Sequence, residues 1–171
     1  MRSRRVALIC SIAALAVLTT ACGDDPSPAV GAGAEAPPED LASTLPPAGG
    51  TGRGTIQIGG SSYGFDADVC ALTPVSHRGM AYDLYVHGAG NLGDTPFEVE
   101  VLRTAGDDGT RIESVRIDTG DGRVITANNA VPAGQTQDEL AVSDTLLSGE
   151  MDFVSTNDEV EGGGRVDVTC A

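Results

Sequence analysis

The chain has 171 residues with ten Lys and Arg residues, all of them arginine, against 25 acidic residues. This length favours a single domain. The formal net charge of −15 argues against nucleic acid and anionic lipid headgroups as partners, because both would be repelled by such a surface.

The first 21 residues have the three-part layout of a secretory signal peptide. Arg2, Arg4 and Arg5 precede an apolar run over residues 6–18, and Thr19-Thr20-Ala21 forms a small-residue exit. The apolar run is shorter than the roughly 20 residues that cross a bilayer as a helix. No later run reaches that length, so we predict that residues 1–21 are removed and that the mature chain has no transmembrane helix.

Cys22 directly follows this leader, and residues 15–22 resemble the bacterial lipobox. That resemblance implies cleavage before Cys22, diacylation of its thiol and attachment to the membrane through the lipid. Thr19 stands where the lipobox usually has leucine, with Leu18 one place further from the cysteine. Two or more acyl chains give stable anchoring, whereas one gives reversible attachment. The alternative is a secreted protein in which Cys22 is incidental; Cys10 is lost with the leader.

Residues 22–53 form the predicted second part of the chain, a lipidated N-terminus followed by a tether. The segment contains most of the nine prolines, many glycines and no aromatic residue. It is too poor in apolar side chains to offset the entropy of ordering, so we predict disorder. Ser27, Ser43, Thr44 and Thr51 resemble O-glycosylated positions of secreted linkers, and an unmodified spacer is an equal alternative.

Residues 54–171 form the predicted folded part, an all-β domain of about eight antiparallel strands. Apolar and polar residues alternate in short runs, separated by turn residues such as Gly59-Gly60. Period-2 alternation at this spacing favours a small sandwich or barrel. The predicted strands cover residues 55–58, 63–69, 82–87, 97–102, 115–118, 123–127, 139–142, 146–154 and 166–170. Tyr85 and His87 alternate with the apolar residues and are placed on the polar face.

Cys70 and Cys170 are the two cysteines that follow Cys22. Outside the cytoplasm a disulfide persists, and thiolate metal sites normally have more Cys or His ligands nearby. We therefore predict a Cys70–Cys170 disulfide that joins the beginning of the domain to its end.

Several short motifs together resemble the mycobacterial 19 kDa lipoprotein antigen family. They are the lipobox, the Ser/Thr/Pro/Ala-rich tether, Thr55-Ile-Gln-Ile-Gly-Gly-Ser, Val69-Cys70, Leu147-Ser-Gly-Glu and the terminal Val168-Thr169-Cys170. The resemblance covers most of the chain, although residues 73–79 and 158–164 diverge. It implies a cell-envelope lipoprotein of an actinobacterium, a surface antigen with a small β domain, and no catalytic residues to transfer.

Two glycine motifs are better explained by turns than by catalysis or cofactor binding. Residues 60–64 match Gly-x-Ser-x-Gly with Ser62 as the nucleophile, but that elbow requires a helix after it and an alternating strand follows here. Residues 88–93 match Gly-x-Gly-x-x-Gly, yet no helix N-terminus follows to bind a pyrophosphate. We expect neither a catalytic residue nor a cofactor.

The histidines and the acidic turns do not predict a metal site. His77 and His87 are ten positions apart, a spacing that fits no independent metal motif, and a solvated His87 is the simpler interpretation. Asp107-Asp108-Gly109 and residues 118–122 lack EF-hand spacing, and Asp-Gly is ordinary hairpin chemistry.

The sequence therefore predicts a lipoprotein at the outer face of the cell membrane whose non-enzymatic β domain serves interaction or acts as a surface antigen. Its expected partners are the membrane, through the lipid anchor, and a lipid or protein that the sequence does not identify. The alternative from another class is a carrier that holds a lipid or other small apolar ligand inside the β domain, as small barrels do.

Overall fold

The computed structural model describes residues 49–171, except residues 107, 137 and 157–159. The predicted leader, Cys22 and the tether up to residue 48 lie outside the described residues. Every regular element in the described part is a β-strand. The strands are β1 Gly52–Ile58, β2 Ser61–Ala71, β3 Val75–His77, β4 Met80–Tyr82, β5 Leu84–Leu92, β6 Thr95–Ala105, β7 Arg111–Thr119, β8 Val124–Val131, β9 Leu140–Ser143, β10 Leu146–Ser155 and β11 Val160–Cys170.

Eight of these strands close into an antiparallel barrel. Their order around the ring is β1-β2-β5-β6-β7-β8-β10-β11, and β11 pairs again with β1. β9 pairs with the first half of β10, and β3 pairs with β4 in a separate hairpin. The predicted all-β antiparallel domain is confirmed, and of the two predicted architectures the chain adopts the barrel. β1 begins at Gly52, two residues before the boundary expected from the sequence.

Alternation along the strands fills the barrel interior with apolar side chains. The buried cluster consists of Ile56, Ile58, Tyr63, Phe65, Ala67, Cys70, Leu84, Val86, Phe97, Val99, Val101, Val115, Ile117, Ile125, Ala127, Leu140, Leu147, Met151, Phe153, Val166 and Val168. Each of these side chains is at most 5% exposed. These buried side chains form one continuous cluster, which fills the barrel interior as its core.

The Phe153 ring packs over Gly164 of the neighbouring strand β11. A Cβ atom at Gly164 would lie 2.7 Å from the Phe153 ring and 2.6 Å from the carbonyl oxygen of Gln57. Both distances are shorter than real Cβ contacts, so the ring occupies space that only glycine leaves open. Phe65 and Phe97 pack in the same way over Gly54 and Gly90.

We predict that Gly164→Ala destabilises the barrel by about 1–3 kcal/mol, because it overpacks the core against Phe153. Urea denaturation measures this change. Gly163→Ala is the matched control, since its Cβ would meet only the Asp152 carboxylate at 3.7 Å. Equal stability of the two variants would contradict the packing described here.

The barrel has a seam where β8 and β10 meet. Only Ile125 and Thr126 of β8 pair with β10, and they do so at its C-terminal end. The first half of β10 pairs with β9 instead. At this point Glu113 of β7 faces inward with the same parity as Val115 and Ile117, and it is fully buried. A polar side chain therefore occupies the barrel interior beside the seam.

Glu113 and Arg103 connect β9 to the barrel wall in place of a neighbouring strand. Arg103 donates to Glu113 through Nε at 3.1 Å and Nη2 at 2.7 Å, and Nη2 also donates to the carbonyl oxygen of Leu140. The other Glu113 oxygen accepts from the backbone N–H groups of Glu139 at 2.9 Å and Leu140 at 3.4 Å, and from Asn129 at 3.2 Å. The ion pair thus satisfies backbone groups that the seam leaves without strand partners.

The Cys70–Cys170 disulfide fastens the end of the barrel where the chain enters β1. Cys70 on β2 and Cys170 on β11 are bonded with a Cα–Cα distance of 5.5 Å, which confirms the predicted pairing. Gly52 at the start of β1 lies between them, and a Cβ there would lie 2.8 Å from the Cys70 sulfur. The backbone N–H of Ala171 donates to the Thr51 carbonyl oxygen at 2.8 Å. We call this end of the barrel the disulfide end.

Candidate binding groove

Tyr85 and both histidines lie on the outer face of the barrel, beside the β3–β4 hairpin. The His77 ring on β3 stacks on Tyr85 with centroids 4.4 Å apart and planes inclined by 20°. Tyr82 on β4 packs against the same ring at 5.0 Å. Tyr85 is therefore only 2% exposed. The prediction that the Tyr85 side chain points out of the barrel is right. The prediction that it lies on a polar face is wrong, because the β3–β4 hairpin covers this part of the sheet and forms a second small core with it.

The Tyr85 hydroxyl donates a hydrogen bond to Glu100 at 2.9 Å. Burial, this hydrogen bond and the nearby Glu100 charge all raise the pKa of Tyr85 well above its ordinary value of 10.0, and the Arg78 charge opposes them. Tyr85 therefore stays protonated and acts as a donor that holds the Glu100 carboxylate in place.

A β-bulge turns Asp68 towards His87. The register between β2 and β5 shifts between Ala67 and Val69, so Asp68 is the extra residue on its strand. A β-bulge changes the direction in which the side chain of the extra residue points. An Asp68 carboxylate oxygen lies 2.7 Å from His87 Nδ1, and the His87 side chain is 28% exposed. His87 is therefore a partly buried, paired side chain, in contrast to the solvated histidine expected from the sequence, and its Nε2 is the nitrogen left for other partners.

The hydrogen bond with His87 lowers the pKa of Asp68 below its ordinary value of 3.8, although partial desolvation opposes the shift. We therefore expect the Asp68 carboxyl to titrate below 3.8 by NMR, and its pKa to move back up towards that value in His87→Ala. Because the folded-state pKa is lowered, the contribution of the pair to stability is present above the unfolded pKa of about 4 and disappears as pH falls through the folded pKa. An unchanged Asp68 pKa in the variant would contradict the pairing.

These side chains border a groove of about 200 Å³ across β5, β6 and β7. We call it the outer groove; it is lined by Arg78, Tyr85, His87, Glu98, Val99, Glu100, Arg116 and Asp118. His87 faces Glu100 across β5 and β6, and Glu100 faces Arg116 across β6 and β7. The groove therefore brings both signs of charge together on a chain that is otherwise strongly acidic.

A second cleft follows the β1–β2 turn and the β10–β11 pair. It contains Ser62 and the acidic residues Glu139, Glu150 and Asp152. Burial raises the pKa of Glu139, and the charges of Glu113 and Asp152 add to the shift. Ser62 is exposed on β2 directly after the Gly59-Gly60 turn, so the structure supports a hairpin turn here and not the strand–helix elbow of a hydrolase.

The other motifs weighed in the sequence also have structural explanations. Residues 88–93 run along the end of β5 into its turn with β6. Asp121 accepts hydrogen bonds from the Thr119 hydroxyl at 2.6 Å and the Arg123 N–H at 3.1 Å, as a turn carboxylate does. Asp107 lies outside the described residues. Among the residues that the structure describes, no three His, Cys, Asp or Glu side chains group as metal ligands would.

The Arg103–Glu113 pair is not predicted from the sequence, although both residues stand at inward-facing positions of their strands. Glu113 has the parity of Val115 and Ile117, and Arg103 has that of Val99 and Val101. Two opposite charges at inward positions of neighbouring strands indicate a buried pair, because a lone buried charge is costly.

The chain matches no protein-family model, no curated protein and no solved structure. Within residues 49–171, apart from the gaps given above, there is no helix that is long and apolar enough to cross a membrane.

Proposed function

We propose that the chain is a cell-envelope lipoprotein of the mycobacterial 19 kDa antigen type. In this proposal residues 1–21 are removed, Cys22 is lipidated, and the protein is held at the outer face of the cell membrane. The β barrel is a non-enzymatic module that serves interaction or acts as a surface antigen.

The observation that carries the proposal is the run of residues 15–22, which ends an apolar segment on Ala21-Cys22 and continues into Gly-Asp-Asp-Pro. The geometry of the barrel is compatible with it. The chain enters β1 at the disulfide end, where Cys70 and Cys170 join the strands on either side. A tether attached there would leave the opposite end of the barrel accessible to partners.

The carrier alternative has less support. A carrier needs space inside the barrel, and the described interior is occupied by the large side chains Phe65, Phe97 and Phe153, each packed over a glycine of a neighbouring strand. A ligand of this class would have to displace these buried side chains.

The anchoring proposal predicts that Cys22→Ala moves the protein out of the membrane fraction of a bacterium that processes lipoproteins. Detergent extraction and immunoblotting of the fractions measure this. Cys10→Ala is the matched control, because Cys10 lies inside the leader and would be removed before anchoring. The proposal fails if the unaltered chain is found free in the medium, or if a Cys22→Ala chain that has lost residues 1–21 stays with the membrane as the unaltered chain does.

The absence of lysine from the sequence gives a second readout. After cleavage before Cys22, the α-amino group of that cysteine would be the only primary amine in the chain. An amine-reactive dye would therefore label a diacylated protein once and a triacylated protein not at all, which reports the number of acyl chains at the anchor.

A further inference from the structure

We propose that the outer groove binds a small zwitterion, such as a free amino acid or a short peptide, between the guanidinium of Arg78 and the carboxylate of Glu98. This inference concerns the barrel alone, so it does not depend on anchoring through Cys22.

Most of the charged side chains in and beside the groove have partners within the protein. Asp68 pairs with His87 at 2.7 Å, and Arg116 pairs with Asp118 at 2.7 Å. Glu100 accepts the hydrogen bond from Tyr85. These contacts stabilise the walls of the groove, and Arg116 and Asp118 compensate each other's charge. Glu100 keeps its negative charge, because its donor Tyr85 is neutral.

Arg78 and Glu98 are the two lining residues that have opposite charge and no ion pair or side-chain hydrogen bond among the described residues. A ligand that carries one positive and one negative group would complement both. A simple anion or a simple cation would complement one of them and face the other as a like charge.

Arg78 is held at the groove by the turn that it forms. Its φ is 50° and that of Gly79 is 80°, so both residues adopt the left-handed conformations of a tight hairpin turn. His77, immediately before it, is fixed by stacking on Tyr85. The backbone of Arg78 is therefore fixed beside the groove.

Glu98 lies directly opposite Asp118 in the pairing of β6 with β7. Like charges at facing positions of neighbouring strands are unfavourable, and Arg116 compensates Asp118 but leaves Glu98 without a cation. An ammonium group from a ligand would remove this repulsion, so the positive end of the zwitterion belongs at Glu98 and its carboxylate at Arg78.

The test is an NMR titration of the purified chain with glycine, diglycine and triglycine, whose charge separations increase in that order. We expect at least one of them to give saturable shifts in the amide signals of Arg78, His87 and Glu98. Capped forms of the three probes test each charge separately. The N-acetyl forms lack the positive charge, and the C-terminal amides lack the negative charge. Each cap should weaken binding at least fivefold. Absence of saturable shifts with all three probes, or equal binding of a capped form, overturns the proposal.

Two variants locate the site. Arg78→Gln and Glu98→Gln should each weaken binding of the best probe at least fivefold while the remaining spectrum keeps the dispersion of a folded barrel. Arg123→Gln is the matched control, because it removes the same charge from a side chain that pairs with Glu161 outside the groove. If Arg123→Gln weakens binding as much as Arg78→Gln does, the effect is one of overall charge and the assignment is wrong.

Discussion

Replacement of Glu113 by alanine should destabilise the barrel by about 3–5 kcal/mol, the usual cost of removing one partner of a buried ion pair. Asp138, 3.7 Å from Arg103 Nη2, would remain as a more distant partner of the arginine. Glu113 is fully buried, and the side chain of its partner Arg103 is 13% exposed. The substitution would also leave the N–H groups of Glu139 and Leu140 without their acceptor. Urea denaturation monitored by circular dichroism measures the loss.

Asp66→Ala is the control for this prediction, because it removes one member of the Arg53–Asp66 pair, whose side chains are 87% and 83% exposed. Exposed pairs contribute about 0–1 kcal/mol, so this variant should unfold close to the unaltered protein. If the two variants lose the same stability, Glu113 does not connect β9 to the barrel in the way described.

Reduction of the Cys70–Cys170 disulfide should lower the free energy of unfolding by up to about 4.7 kcal/mol, the value of the chain-entropy model for a loop of about 100 residues. The two cysteines are separated by 100 positions, so the bond restricts the unfolded chain over almost the whole barrel. Denaturation with and without a reductant measures the difference.

The double variant Cys70→Ala/Cys170→Ala is the control for the reductant. Its unfolding midpoint should match that of the reduced protein and should not respond to the reductant. If the unaltered chain unfolds at the same denaturant concentration in both conditions, the cysteines are not paired in the folded protein.

Strand positions could be predicted from the sequence where apolar residues alternate over several positions. The runs around Ile56, Val99, Val115 and Val168 all fall within observed strands, because one side of each faces the interior and the other faces water. The closure of the sheet was not predictable in this way. Closure depends on pairing between β1 and β11, the first and last strands of the domain. Alternation within a strand gives no information about which strand will be its partner.

The outer groove was not predictable, for two physical reasons. β3 and β4 have three residues each, which is too short for a periodic pattern to be recognised. The hairpin that they form buries Tyr85 on a face that alternation assigns to solvent. The contact between Asp68 and His87 depends on a bulge, and a bulge shifts the side-chain parity on which strand prediction relies.

The proposed anchoring is tested most directly by intact-mass spectrometry of the mature protein extracted from bacterial membranes. We predict a chain that begins at Cys22, carries a diacylglyceryl group on that residue with or without a further acyl chain, and retains the oxidised Cys70–Cys170 pair. A membrane-extracted chain with an unmodified Cys22, or one that begins at another residue, would contradict it.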